Sequence, residues 1–188
     1  MTVNGITNVY KIRHGEGYVQ LLADNSDDYD VLIMDGKARG RSWKPVRMHR
    51  LQTKDHQLRQ PSDFPYCPGG ALAMNETAKA KIGSHIRRYG EFLPLSCDGG
   101  PFWAFQVTHF VDALDENASD VLRASDEPSV VLMIHKHVFR PERLTPDWMF
   151  KLPQSRGRGP IYVTDPFVNL IKASGLTGLE FKRVWPHS

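Results

Sequence analysis

Apolar and polar positions alternate along the chain in a pattern that predicts two strand-helix-strand units. In the first unit, residues 71–74 form a short apolar strand, after which Ala78 and Ile82 begin an apolar face with helical spacing. Asn75 has a side chain suited to cap the start of that helix. The extended segment 91–95 then returns as a second strand.

The second unit repeats this plan at the C-terminal end of the chain. Residues 161–163 are apolar and favour a strand, and Asp165 is expected to cap the following helix with Pro166 at its first position. Gly175 is expected to end the helix, and residues 179–185 return as a strand. The buried face of the helix is predicted to contain Phe167, Leu170 and Ile171.

Other apolar runs complete the predicted sheet. The aromatic segment 102–110 and the long apolar segment 129–139 are expected to form its centre, and the shorter runs 18–22 and 31–34 are expected to be strands. Proline and glycine residues between positions 61 and 70 mark a strong break. The sequence therefore predicts an α+β fold with a mixed, mainly antiparallel sheet and helices packed on one face.

Length and composition agree with a globular protein. A chain of 188 residues can bury a core without staples, and 40% hydrophobic residues argue against a disordered chain. We expect residues 1–66 to form a β-rich, turn-rich segment packed on a main α+β domain at 67–188. No apolar stretch approaches the ~20 residues of a membrane span, and positions 1–5 lack the features of a secretion signal. We therefore expect a cytoplasmic protein that does not bind membranes.

Charge is segregated along the chain although the net charge is only +3. The acidic stretch, residues 112–127, has six carboxylates and a single arginine, whereas the basic stretch, residues 37–59, has eight basic residues and one aspartate. Both are expected to be exposed, and either could contact a partner. The sequence does not choose between them. The candidate partner-binding residues are Asp115, Glu116 and Asp120 in the acidic stretch and Arg39, Arg41 and Arg47 in the basic stretch.

Candidate metal ligands are few. His135 and His137 are expected on one face of a strand, where they could supply two ligands, but no third ligand is evident. A histidine pair at the solvent end of a strand is the favoured interpretation. We therefore expect neither a metal ion nor another cofactor.

Catalytic candidates also lack support. Cys67 and Cys97, with His85 and His109, could in principle form a thiol nucleophile with its base, but no catalytic motif surrounds them. Asp112 and the carboxylates that follow it lack the spacing of a calcium loop and favour a turn instead. The glycine pairs fit no phosphate-binding motif, and no nucleic-acid-binding module accompanies the short basic runs. The sequence therefore favours a protein that is not an enzyme.

Five short motifs follow one another between residues 71 and 185. They are Glu-Phe-Leu-Pro-Leu at 91–95, Phe-Val-Asp-Ala-Leu-Asp at 110–115, Val-Phe-Arg-Pro-Glu-Arg-Leu at 138–144, Ile-Tyr-Val-Thr-Asp at 161–165 and Gly-Leu-Thr-Gly-Leu-Glu-Phe at 175–181. Each motif alone is short. In this order along the chain, they resemble a family of small bacterial immunity proteins from polymorphic toxin systems.

This resemblance implies an antidote that binds and inhibits a toxin encoded nearby, and it assigns no catalytic residue. Two alternatives remain open from the residues alone. One is a small hydrolase or transferase that reverses the toxin's product, which would require a pocket lined by perturbed titrating groups. The other is a nucleic-acid-binding regulator, which would require the basic residues to converge on one face.

Overall fold

The computed structural model describes residues 8–54, 57–144 and 147–186. Its helices are α1 (Asp28–Val31), α2 (Glu76–Ile86) and α3 (Asp165–Ser174), with short 3-10 turns between some of the other elements. Its strands are β1 (Val9–His14), β2 (Gln20–Ala23), β3 (Arg47–Leu51), β4 (Thr53–Lys54), β5 (Gln57–Leu58), β6 (Leu72–Asn75), β7 (Gly90–Cys97), β8 (Phe102–Val107), β9 (Asp120–Arg123), β10 (Val131–Lys136), β11 (Met149–Phe150), β12 (Tyr162–Thr164) and β13 (Leu179–Trp185).

Most strands belong to two sheets. One has five strands in the order β2-β3-β7-β8-β6, and the other has four in the order β11-β12-β1-β13. All neighbouring pairs are antiparallel except β3 and β7, which are parallel where Arg47 and Met48 lie opposite Ser96 and Cys97. The predicted α+β class, with mixed and mainly antiparallel pairing, is confirmed.

The two predicted strand-helix-strand units are present as β6-α2-β7 and β12-α3-β13, but they belong to different sheets. Both helices nevertheless pack into one hydrophobic core, where Ala78 and Ile82 of α2 meet Phe167 and Ile171 of α3 in the same buried cluster. The expectation of a single sheet with both helices on it is therefore corrected to two sheets that share a core.

The N-terminal segment contributes strands to both sheets. Strand β1 lies between β12 and β13, with Val9 opposite Thr164 on one side and Ile12 opposite Phe181 on the other. Strands β2 and β3 form one side of the five-stranded sheet. The boundary proposed after residue 66 stays a prediction.

Local sequence signals correctly place the start of α2 and the end of α3. The Asn75 side chain accepts a hydrogen bond from the backbone N–H of Ala78, as an N-cap does, and Gly175 follows α3 in the left-handed conformation with φ +66°. Asp165 behaves differently from the prediction, because Thr164 is the N-cap residue of α3. The Asp165 carboxylate instead accepts hydrogen bonds from Asn8, in addition to the Tyr10 hydroxyl.

One predicted strand is absent and another is misplaced. Residues 31–34 begin with the last residue of α1, continue without regular secondary structure and are not a strand. The strand predicted in segment 129–139 is present as β10, but among the described residues it pairs only with β9 in a two-stranded hairpin, so it does not form the centre of a sheet. By contrast, segment 102–110 contains β8, which lies between β7 and β6 as expected.

Candidate partner-binding surface

The β9–β10 hairpin presents three large apolar side chains to solvent. Leu122, Leu132 and Met133 are 49%, 63% and 53% exposed, and the strand register places Met133 opposite Leu122. The other side of the hairpin is buried, because Val131 and Ile134 pack into a second core cluster. An exposed apolar group of this kind on one side of a hairpin is typical of a contact surface.

The hairpin owes its unusual exposure to irregular pairing. Register shifts occur between Val131 and Met133 and again between Ile134 and Lys136, so side chains do not strictly alternate between the two faces of β10. As a result Leu132 and Met133, which are consecutive, are both exposed. The apolar pattern of residues 129–139 does not indicate this surface, because it predicts a regular, central strand.

Carboxylates of the acidic stretch flank this hairpin, and several of them have structural roles. The Asp115 side chain accepts hydrogen bonds from the backbone N–H groups of Asn117 and Ala118, which confirms its assignment to a turn. Glu116 forms an ion pair with Arg123. Asp120 is exposed at the start of β9 and is in no ion pair with a described residue.

The structure brings further arginines to the acidic stretch from distant parts of the chain. Arg143 lies 2.7 Å from the Asp112 carboxylate, and Arg156 forms an ion pair with Glu127. The negative electrostatic potential of the acidic stretch is therefore weaker than its composition, six acidic residues and one arginine, suggests. These pairings join positions about 30 residues apart, which local sequence patterns do not reveal.

The three candidate arginines of the basic stretch differ in environment. Arg39 is largely structural: its guanidinium donates to the Ile33 carbonyl at 3.0 Å and lies 3.3 Å from the Asp35 carboxylate. Arg47 lies 3.5 Å from Asp24. Arg41 is exposed in a 3-10 turn and is in no ion pair with a described residue.

The two candidate metal ligands do not share a face of β10, contrary to the prediction. His135 is exposed, whereas His137 is only 2% exposed and its Nε2 lies 3.0 Å from the Tyr162 hydroxyl. Irregular pairing near the end of β10 removes the alternation on which the prediction depended. Within the described ranges, no group of three or more histidine, cysteine, aspartate or glutamate side chains could hold a metal ion.

The thiols and imidazoles considered for catalysis are not joined into a reactive pair. Burial raises the pKa of Cys67 to about 12, and partial burial also raises that of Cys97, so both favour the unreactive thiol. His85 stacks on the Trp148 ring, and Nε2 of His109 lies 2.8 Å from the Asp147 carboxylate. No hydrogen bond connects either thiol to a histidine in the part of the chain that is described.

A groove of about 920 Å³ adjoins the hairpin. It separates β10 from the loop 153–159, and Phe110, which is 39% exposed, also lines it. Asp35 and Lys37 of the N-terminal segment reach this groove too. Its walls therefore come from four separate parts of the chain.

A buried lysine links two of these parts, the N-terminal segment and the loop 153–159. Lys151 is 2% exposed, and its Nζ donates hydrogen bonds to the backbone oxygens of Met34 and Gly157. Burial lowers the pKa of Lys151 to about 8, although the nearby Asp35 carboxylate opposes the shift. Gly157 is also required here, because its φ is +76° and an added Cβ would lie 1.8 Å from the Asp35 carbonyl oxygen.

No helix among the described residues is long and apolar enough to cross a bilayer.

No curated protein matches the chain. Residues 95–185 match a family model described as Immunity protein family (Imm11), and this segment contains the hairpin and most of the groove. The resemblance expected from the motifs is thereby confirmed over these residues, while residues 71–94 lie outside the match. Over 95–185, just under half of its length, the chain is similar to the immunity protein family Imm11.

Proposed function

We propose that this chain neutralises a bacterial toxin by binding it through the outer face of the β9–β10 hairpin. The observation that carries this proposal is the exposure of Leu122, Leu132 and Met133 on one hairpin inside the segment that matches an immunity family. A match to an immunity family suggests toxin neutralisation. The exposed apolar side chains supply a physical means of binding.

The composition of the surface supports protein binding. Protein interfaces commonly have an apolar centre that becomes buried and a polar rim that stays near solvent. Here the Leu122 and Met133 pair is the centre, and Asp120 lies opposite Lys136 at its edge. Burying three exposed side chains of this size would favour association, with each contributing roughly 1–2 kcal/mol for its exposed part.

Within the acidic stretch we propose Asp120 as the principal contact, with Asp115 and Glu116 beside it. Asp120 has no competing ion pair with a described residue, so its charge is available to attract a basic region of the toxin. Arg39, Arg41 and Arg47 are the alternative contact surface. Two of them already pair with Asp35 and Asp24, which leaves Arg41 as the most available of the three.

We propose that neutralisation occurs by occlusion in the cytoplasm of the producing cell, and that the chain performs no reaction on the toxin or its product. The raised pKa values of Cys67 and Cys97 support this view, since each disfavours the nucleophilic thiolate. The Cys97 thiol donates to the neighbouring Asp98 carbonyl at 3.5 Å rather than to an imidazole. These contacts favour structural roles for both cysteines.

The test is co-expression with the toxin domain encoded beside the chain's gene, followed by purification of both proteins. Growth should be restored, and the two proteins should elute as one complex during size-exclusion chromatography. Restored growth at sub-stoichiometric amounts of this chain, without a complex, would support the alternative of an enzyme that reverses the toxin's product. Failure to restore growth would contradict the immunity function itself.

A further inference from the structure

Strand β10 has a free edge. Within the described ranges it pairs only with β9, so the row of backbone N–H and C=O groups on its other edge has no strand partner. Such an edge can accept an additional strand, because the added backbone satisfies those groups. An exposed edge of this kind is normally protected or used for binding.

The groove lies at the end of β10 that is next to the hairpin turn. Val130, Val131 and Leu132 line it on the hairpin side, and Pro153 and Ser155 line it on the other. Its volume of about 920 Å³ is at the upper end of ordinary ligand pockets, which is large enough for several residues of an extended chain. Leu132 and Phe110 also line the groove, where they would provide apolar contacts for the side chains of such an extended chain.

Charges on the two walls restrict the chemistry of the occupant. Asp126 at the hairpin turn and Arg158 on the opposite loop are both exposed, and neither is in an ion pair with a described residue. Between the same two walls, Glu127 and Arg156 already form an ion pair. A segment that places a basic side chain beside Asp126 and an acidic one beside Arg158 would therefore complement both charges.

We propose that the groove binds an extended segment of the toxin, which adds to β10 as a strand. The segment is mainly apolar, with one basic and one acidic side chain placed to meet Asp126 and Arg158. This inference rests on the proposed function and deepens it, since it names the conformation and chemistry of the bound part of the toxin. The outer face of the hairpin and the groove then act together, one contacting a surface and the other capturing a strand.

Hydrogen exchange of the β10 backbone tests this proposal directly. The probe is the purified toxin domain whose lethality the chain suppresses, in an inactive form, mixed with this protein. Backbone amides on the free edge of residues 131–134 should exchange at least about tenfold more slowly in the complex, because added strand hydrogen bonds protect them. Contact through side chains alone would leave these rates nearly unchanged.

Matched variants connect the protection to the groove. Arg158→Glu should weaken toxin binding by roughly tenfold or more, since it alters a groove side chain that is not part of the outer face of the hairpin. Leu132→Lys should weaken binding by a similar factor, but Leu132 belongs to both surfaces, so Arg158→Glu is the variant that assigns the effect to the groove. Leu58→Lys is the control, because Leu58 is 81% exposed and does not line the groove. All three substitutions are at exposed positions, so the melting temperature should stay close to that of the unmodified protein.

The outcomes distinguish this inference from the proposed function. A complex that forms without protection of residues 131–134 would overturn strand addition while leaving toxin binding intact. Absence of any complex would overturn both. Concentration-dependent protection of the same amides in the free protein would identify a second copy of this chain as the occupant, which would also overturn the proposal.

Discussion

The Nζ of Lys151 donates a hydrogen bond to the backbone oxygen of Met34, which lies 117 residues earlier in the chain. Lys151 belongs to the segment that matches the immunity family, whereas Met34 lies outside it. The same Nζ also donates to the Gly157 carbonyl, at the loop that forms one wall of the groove. This one side chain therefore ties the N-terminal segment to the surface that we propose for the toxin.

Replacing Lys151 with methionine should lower the free energy of unfolding by roughly 2 kcal/mol at pH 7, because two buried carbonyl groups lose a charged donor. Methionine is similar in length, so little of the loss should come from packing. Chemical denaturation of the variant and of the unmodified protein measures the difference. An unchanged stability would show that water or another donor replaces the Lys151 amine.

The same pair of proteins should show a pH dependence of known sign. The pKa of Lys151 is about 8 in the folded protein and near 10.5 when unfolded, so between these values the unfolded chain binds more protons. The contribution of Lys151 to the free energy of unfolding should therefore rise with pH. Between pH 7.5 and 9.5 the unmodified protein should gain roughly 1–2 kcal/mol of stability relative to Lys151→Met. A difference that stays constant or shrinks would contradict the lowered pKa.

The hairpin face should matter for binding and little for folding. Substituting both Leu122 and Met133 with serine should reduce toxin affinity by roughly 10- to 100-fold, since two side chains at the centre of the proposed interface are lost. The free energy of unfolding should change by less than about 1 kcal/mol, because both side chains are already half exposed. Calorimetric titration with the toxin domain and thermal melting provide the two measurements.

Tyr29→Ser is the matched control for this pair. Tyr29 is also a large apolar residue, 38% exposed, but it lies in α1 and outside the matched segment. Its substitution should leave affinity within about twofold. Equal losses for the hairpin and control variants would point to a general effect on the protein and would remove the hairpin as the contact surface.

Elements whose signals are local could be predicted from the sequence. The Asn75 cap and the Gly175 stop concern residues within one helical turn, and both helices were correctly placed from them. The position of a strand within the sheets is harder to predict. Strand β1 lies between two C-terminal strands, and its residues pair with residues more than 150 positions away in the sequence. The irregular register of β10 also has no clear signature in its residues, which is why Leu132 was expected in the sheet centre.

The candidate site was only partly accessible for the same reason. The charge segregation was visible, but Arg143 and Arg156 join the acidic stretch through tertiary structure alone. One available signal was overlooked: Lys151 lies in an otherwise apolar run between Met149 and Leu152. A lysine in such a setting either reaches solvent or finds buried acceptors, and here it does the latter.

The C-terminal unit should be indispensable for folding. Phe167 is fully buried between α3 and the sheet that contains β1. Its ring meets the Phe181 ring edge-on, with the two ring centroids 6.1 Å apart. Phe167→Ala should destabilise the protein by about 3–5 kcal/mol, since it removes a large side chain from a packed core. Removing residues 161–188 should abolish cooperative melting, because β1 loses both neighbouring strands. A truncated chain that still melts cooperatively would show that this unit is an appendage.

The Cys97 thiol should be dispensable for protection of the cell against the toxin. Cys97→Ala removes a half-buried thiol whose hydrogen bond is to the adjacent Asp98 carbonyl, so the fold should tolerate the loss with a cost of about 1 kcal/mol or less. Growth in the presence of the toxin should be unchanged. A folded variant that binds the toxin but fails to protect would replace binding with a thiol-dependent mechanism.

Reversal of one exposed charge should affect how fast the toxin is captured more than how long it stays bound. Asp120→Lys should slow association by a factor on the order of two to five at low salt, because peripheral charges steer encounter and the toxin face is expected to be basic. Asp115 and Glu116 are left unchanged, since the first accepts turn hydrogen bonds and the second pairs with Arg123. Raising the salt concentration to about 0.5 M should remove most of the difference by screening.

Arg41→Glu is the matched reversal in the basic stretch, and association rates of both variants are measured by stopped-flow or surface binding. Slower association for Arg41→Glu with an unchanged rate for Asp120→Lys would move the contact surface to the N-terminal segment.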